Sequence, residues 1–131
     1  MSNPVHHIEL WTTDVRRSAV SFNWLLGRLG WQAQHDPNWP QGRTWLHPGG
    51  AYVVLEESPA LTGPHDRTRA GLNHLALRAI DRMLLDEIQR DCSNHGWTEL
   101  FADKYPHAGG PEHTALFLEN SEGFELEIVV D

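Results

Sequence analysis

At 131 residues the chain has the length of one domain, and folding at this size buries roughly two-thirds of the unfolded surface, so a core can form without staples. Hydrophobic residues make up 40% of it, six of them Trp, and the single cysteine, Cys92, rules out an intrachain disulfide, as expected of a cytoplasmic protein. A formal charge of −8 argues against nucleic acid or an anionic membrane as partner, no apolar stretch nears the ~20 residues that span a bilayer, and Met1-Ser2-Asn3-Pro4 reads as no signal peptide.

Taken in chain order, residues 4–12 alternate in polarity and predict a strand. Asp14 is placed to cap a helix whose apolar stripe is Val15, Ala19, Phe22, Leu25, Leu26 and Leu29, ending at Gly30. Strands follow over 31–36, 43–48 and 51–57, and the Pro- and Gly-bearing segment 58–70 reads as a linker. The pattern then starts again. Residues 71–79 predict a strand, Asp81 caps a helix with Leu84, Ile88 and Cys92 on one stripe, and Gly96 stops it. Strands over 97–103, 113–119 and 123–130 complete the chain.

This is an internal repeat. His7 and His74 both precede an Asp-capped helix, Gly30-Trp31 matches Gly96-Trp97, and the segment from Gly50 to Glu56 matches that from Gly123 to Val129. Halves of about 60 residues are small for independent domains, so the expectation is one α+β domain over 1–131. It would hold two tandem βαβββ modules, 4–57 and 71–131, their mixed sheets curved into a cup with helices on the outer face. The loop from Asp103 to Glu112 has no counterpart in the first half, and unmatched loops are where function tends to lie.

Side chains alternate faces along a strand, so parity assigns them. If Ile8 and Leu10 face the helix layer, then His7, Glu9 and Trp11 face away. The same test turns His74, Ala76 and Arg78 away, and with them Glu125, Glu127 and Val129, Tyr52, Val54 and Glu56, and His113, Ala115 and Phe117. Such a face can be solvated or can line a cavity. If pseudo-symmetry joins the two faces, His7, His74 and Glu127 converge, and two imidazoles with one carboxylate form a triad that leaves sites open on a divalent metal. Nine histidines in this length suit that chemistry. Glu125 shares the parity of Glu127 and is its rival. His6 has the wrong parity and reads as packing or edge solvation. Trp11, Trp45, Tyr52 and Phe117 are expected to line an apolar pocket.

These residues resemble a known family. His7-Ile8-Glu9-Leu10, His74-Leu75-Ala76-Leu77 and the closing Gly123-Phe124-Glu125-Leu126-Glu127 are similar to the vicinal oxygen chelate superfamily of glyoxalases, bleomycin-resistance proteins and extradiol dioxygenases, over essentially the whole chain. The resemblance implies a divalent ion (Fe, Mn, Ni or Zn) held by His7, His74 and Glu127, and a small-molecule substrate chelated through neighbouring oxygens. It implies a homodimer as well. The repeat sets Val54 where a fourth carboxylate would stand in glyoxalase I, so a three-ligand enzyme, as in extradiol dioxygenases and thiol transferases, is the better match. Glu56, two residues on, is the substitute to test. His113 and Tyr52 are the first candidates for proton transfer, with Tyr105 and His107 behind them. The alternative from the same resemblance is a metal-free protein that binds an antibiotic without turnover.

Overall fold

The Asp14 carboxylate accepts a hydrogen bond from the Arg17 amide, closing the open start of α1 (Val15–Arg28). Asp81 does the same for α2 (Arg82–Asp91) through the Leu84 amide. Around these helices, a computed structural model describes residues 3–131 as the strands β1 (His7–Trp11), β2 (Gln32–Gln34), β3 (Gly42–Leu46), β4 (Tyr52–Glu56), β5 (Leu75–Arg78), β6 (Trp97–Leu100), β7 (Thr114–Asn120) and β8 (Glu125–Val130). The fold is α+β, two tandem βαβββ modules, as the repeat predicts. The chain divides into two compact units at His65–Asp66, inside the segment read as a linker.

Each unit has one four-stranded mixed sheet, in the order β1-β4-β3-β2 or β5-β8-β7-β6. The first strand of each module runs parallel to its last, and the other neighbours are antiparallel. The registers are the same in both copies. Val54 lies opposite Glu9 and Thr44, just as Glu127 lies opposite Ala76 and Phe117. Val54 is therefore the structural counterpart of Glu127, and on that rung the first unit carries its carboxylate on β1, at Glu9, rather than on β4.

Each helix buries its apolar stripe on its own sheet. In the first unit Phe22, Leu25, Leu26, Trp45 and Leu55 are essentially inaccessible. In the second the same holds for Leu85, Ile88, Leu116, Leu118, Leu126 and Ile128. Each such aliphatic side chain contributes about 1.5–3 kcal/mol relative to exposure, so these two layers carry most of the stability.

Strand ends differ from the sequence reading for local reasons. Trp31 donates its amide back to the Leu26 carbonyl and so belongs to the helix exit, leaving β2 three residues long. Phe101 adopts a left-handed backbone (φ +56°) that breaks β6 after Leu100. Helix α2 tightens into a 3-10 turn over Cys92–His95, and Gly96, at φ +87°, ends it in the conformation glycine adopts most easily.

Candidate functional site

Strand β8 carries two buried carboxylates, Glu125 and Glu127. A buried charge is costly unless paired, so their partners identify their roles. Glu125 pairs with the Arg67 guanidinium at 3.1 Å, which also reaches Glu119 at 3.4 Å. That cation neutralises the rival carboxylate. Glu127 takes imidazoles instead: its Oε1 is 3.0 Å from His74 Nε2, and its Oε2 contacts His113 Nε2.

The His74 ring is oriented from behind. Asn73 donates its amide Nδ2 to the Arg67 carbonyl at 3.0 Å, which fixes which end of that amide is which. Its Oδ1 therefore faces His74 Nδ1, at 2.7 Å, and an amide oxygen can only accept. Nδ1 must hold the proton. In the neutral ring, Nε2 is then a lone pair aimed at a carboxylate oxygen. Two acceptors at that distance need a positive centre between them, either a second proton on the ring or a metal ion. An imidazole whose far nitrogen is held by an amide or carboxylate, with its near nitrogen beside a carboxylate, is the usual dress of a metal-ligating histidine. The donor set fits a divalent ion. The three side chains are joined pairwise, however, and among the described residues no group of three or more His, Cys, Asp or Glu surrounds a common ion position.

His113 is brought to Glu127 by the loop that only the second module possesses. It is the last residue before β7, closed by a turn from its amide to the Gly110 carbonyl. His107 donates Nδ1–H to the His113 carbonyl at 3.1 Å, and the Ala115 amide bonds the Pro106 carbonyl at 2.9 Å. Tyr105 anchors the loop to α2: its hydroxyl donates to Asp86 at 2.7 Å, and Arg82 lies over its ring. Burial and the Asp86 carboxylate push the Tyr105 phenol well above its ordinary value, so it stays protonated as the donor. Gly109 lies against the His113 imidazole, where a Cβ would come within 2.6 Å of Cδ2.

In the first unit His7 stacks on Tyr52, ring centroids 4.7 Å apart and 4° from parallel. Its Nδ1 meets Nδ1 of His6 at 2.8 Å, a contact that does not use Nε2. Glu9 accepts the Trp11 indole N–H at 2.6 Å. Burial, then the neighbouring Glu9 carboxylate, holds the Glu56 carboxyl above the usual carboxylate range. Glu56 lines a shallow cleft of about 520 Å³ with Trp39, Gln41, Glu57, Ser58 and Pro59.

Of the residues singled out in the sequence, the second unit unites His74, Glu127 and His113, and the first unites His7 and Tyr52. Phe117 stands edge-on to His74, centroids 6.2 Å apart, on the rung opposite Glu127. Trp45 is a correction. It is 1% exposed, donates its indole N–H to Asn23 on α1 and packs against Phe22, so it belongs to the core and lines no pocket. Its neighbour across the ladder is Val53, also buried, which puts it on the helix side. Sequence reasoning passed over Asn73, Arg67, Gly109 and Phe101. Asn73 had a signal, an amide directly before a candidate ligand; the others depend on contacts made only in the fold.

The chain belongs to the glyoxalase/bleomycin resistance protein/dioxygenase superfamily, whose model matches residues 6–117. It is 32% identical over 126 residues to the protein YqjT of Bacillus subtilis (strain 168), covering 95% of this chain and 97% of that one. Among solved structures it is similar to a candidate glyoxalase from Bacillus halodurans (34% identity, TM-score 0.88, covering 98% of this chain and 96% of the other). At the level of fold it is also similar to a variant of the fosfomycin resistance protein FosX from Listeria monocytogenes, solved with Mn(II) and 1S,2S-dihydroxypropylphosphonic acid. That match has 16% identity and a TM-score of 0.65, covering 98% of this chain and 90% of the other.

Proposed function

We propose that this protein is a divalent-metal-dependent enzyme acting on a small molecule that chelates the ion through neighbouring oxygens, with His7, His74 and Glu127 as its protein ligands. One observation carries the reading: Asn73 holds the Nδ1 end of His74 and turns Nε2 to within 3.0 Å of a buried carboxylate oxygen, two donor atoms close enough to share one ion. The FosX neighbour, with Mn(II) and a dihydroxy phosphonate, supports the choice of a metal and of a two-oxygen ligand. Val54 on the rung equivalent to Glu127 favours three protein ligands over four.

The ion would act as a Lewis acid on the bound oxygens. The chain's own residues do the rest. Asn73 holds His74 by its Nδ1–H and so presents Nε2 to the ion, and the Nε2 of His113 holds the second oxygen of Glu127, fixing the carboxylate plane. Tyr52 holds the plane of His7 by stacking. His113 and Tyr52, one in each unit, remain the proposed proton-handling groups.

The test is metal titration of the full chain after chelator treatment, using Mn²⁺, Zn²⁺ and Ni²⁺ in turn. One ion per chain is expected, with affinity falling at least 100-fold in His74→Ala and in Glu127→Ala while melting stays cooperative; an order-of-magnitude loss is already typical of disturbing a partner behind the ligands. Equal affinity in the wild type and both variants would overturn the assignment.

A further inference from the structure

We propose that Phe101 and Phe117 form a wall beside His74 and Glu127 that binds a planar aromatic group, so that the ligand is an aryl compound bearing the chelating oxygens. The wall names the substrate class of the site proposed above and rests on that reading only for where the oxygens go. Three observations within the second unit support it, and comparison with the first unit adds a fourth.

The rings form a continuous series. His74 meets Phe117 at 6.2 Å and 69°, and Phe117 meets Phe101 at 5.6 Å and 81°, so an aromatic surface starts at the imidazole on Glu127 and runs outward. Its outer member is open, since Phe101 is 52% exposed. An aromatic ring half in water gains by taking a flat partner, because offset-stacked and edge-to-face pairs add to simple area burial. The backbone beneath Phe101 is left-handed, φ +56° and ψ +38°, where a residue with a Cβ is strained and glycine is not. A bulky side chain in that conformation is a pattern concentrated at ligand sites.

The first unit supplies the comparison. Leu100 pairs with Phe117 as Gln34 pairs with Thr44, which makes Thr44 the counterpart of Phe117 and His35 that of Phe101. The same ladder forms there without either ring. The fold does not need the aromatic pair, and the copy that lacks it also lacks the carboxylate of Glu127.

Two hydroxamates with the same chelating head, benzohydroxamate and acetohydroxamate, separate the aryl contribution from the metal contribution. Their binding to the full chain is followed by NMR, metal-free and Zn²⁺-loaded, for the wild type, Phe101→Ala, Phe101→Gly and Phe117→Thr. The wild type should prefer the aryl probe, and each variant should lower that preference about tenfold. Phe101→Gly removes the ring while relaxing the backbone, so its melting temperature should not fall and misfolding is excluded as the cause. Equal binding of the two probes by the wild type in both states, or a preference that survives in Phe101→Ala and Phe101→Gly, overturns the wall. So does a change of oligomeric state in Phe101→Ala with the preference intact, which would assign the ring to contact between copies. If Zn²⁺ tightens neither probe while the aryl preference stands, the wall holds and the metal assignment falls.

Discussion

Asn73 hydrogen-bonds to the far side of His74 from Glu127, and so decides which ring nitrogen faces that carboxylate. Its amide accepts from one ring nitrogen and donates to the Arg67 carbonyl, leaving the other nitrogen as a donor atom for a cation. Replacing Asn73 with Ala should lower metal affinity about 10- to 100-fold with little effect on the melting temperature, and Asn73→Asp, which still accepts from Nδ1, should restore part of it. Calorimetric titration checks this; unchanged affinity in the alanine variant would mean that the tautomer is set elsewhere. Glu56 gives a prediction of the opposite sense. Burial and then Glu9 raise its carboxyl, so the folded chain keeps this proton to higher pH than the unfolded chain does. Its stabilising contribution is complete below the ordinary carboxylate range and is lost as pH rises through the raised value. Glu56→Gln should therefore gain in urea midpoint over the wild type more at about pH 7.5 than at about pH 4. A constant difference at both pH values would show that Glu56 ionises normally.

At the scale of elements, the loop between β6 and β7 is a bracket for one imidazole. Tyr105 ties it to α2, Pro106 and His107 tie it to the start of β7, and Gly109 leaves the space in which His113 lies. Gly109→Ala should turn the ring off Glu127 at a cost of about 1–3 kcal/mol, read as a changed His113 ring resonance and a lower unfolding midpoint. An unshifted resonance would mean that the loop yields first. Trp45→Ala should cost about 3–5 kcal/mol by chemical denaturation, because it empties a ring-sized volume between β3 and α1. A loss under 1 kcal/mol would place that ring at the surface after all.

Much at this scale was legible in the sequence. Helix caps, repeat landmarks and strand parity are local patterns, and they place His74 and Glu127 as the fold has them. The side of Trp45 was not legible, since it depends on the register of β3 against β4, and a slip of one residue exchanges the faces. The bracket around His113 was not legible either, beyond its being an unmatched loop, because its contacts join residues on α2, the loop and β7. Among the described residues, no helix is long and apolar enough to cross a membrane.

For the molecule as a whole, the two copies share ladders, caps and stops but not chemistry, and Cys92 offers a probe of how firmly the second copy holds. It is buried, and burial, then the Glu99 carboxylate, raises its thiol above the ordinary value. Labelling by a thiol reagent at neutral pH should run at least about a thousandfold slower in buffer than in denaturing urea, because reaction needs opening of the unit. Rapid labelling in buffer would reveal a loose second half.

The shared ladders mean that the protein contains its own blank. Val54 and Thr44 stand on the rungs that hold Glu127 and Phe117 in the later half, and His35 follows β2 as Phe101 follows β6. Exhaustive substitution should find the helix-facing rungs equally unforgiving in both halves. Tolerance should part company at the matched positions themselves, broad at Val54 and Thr44 and narrow at Glu127 and Phe117.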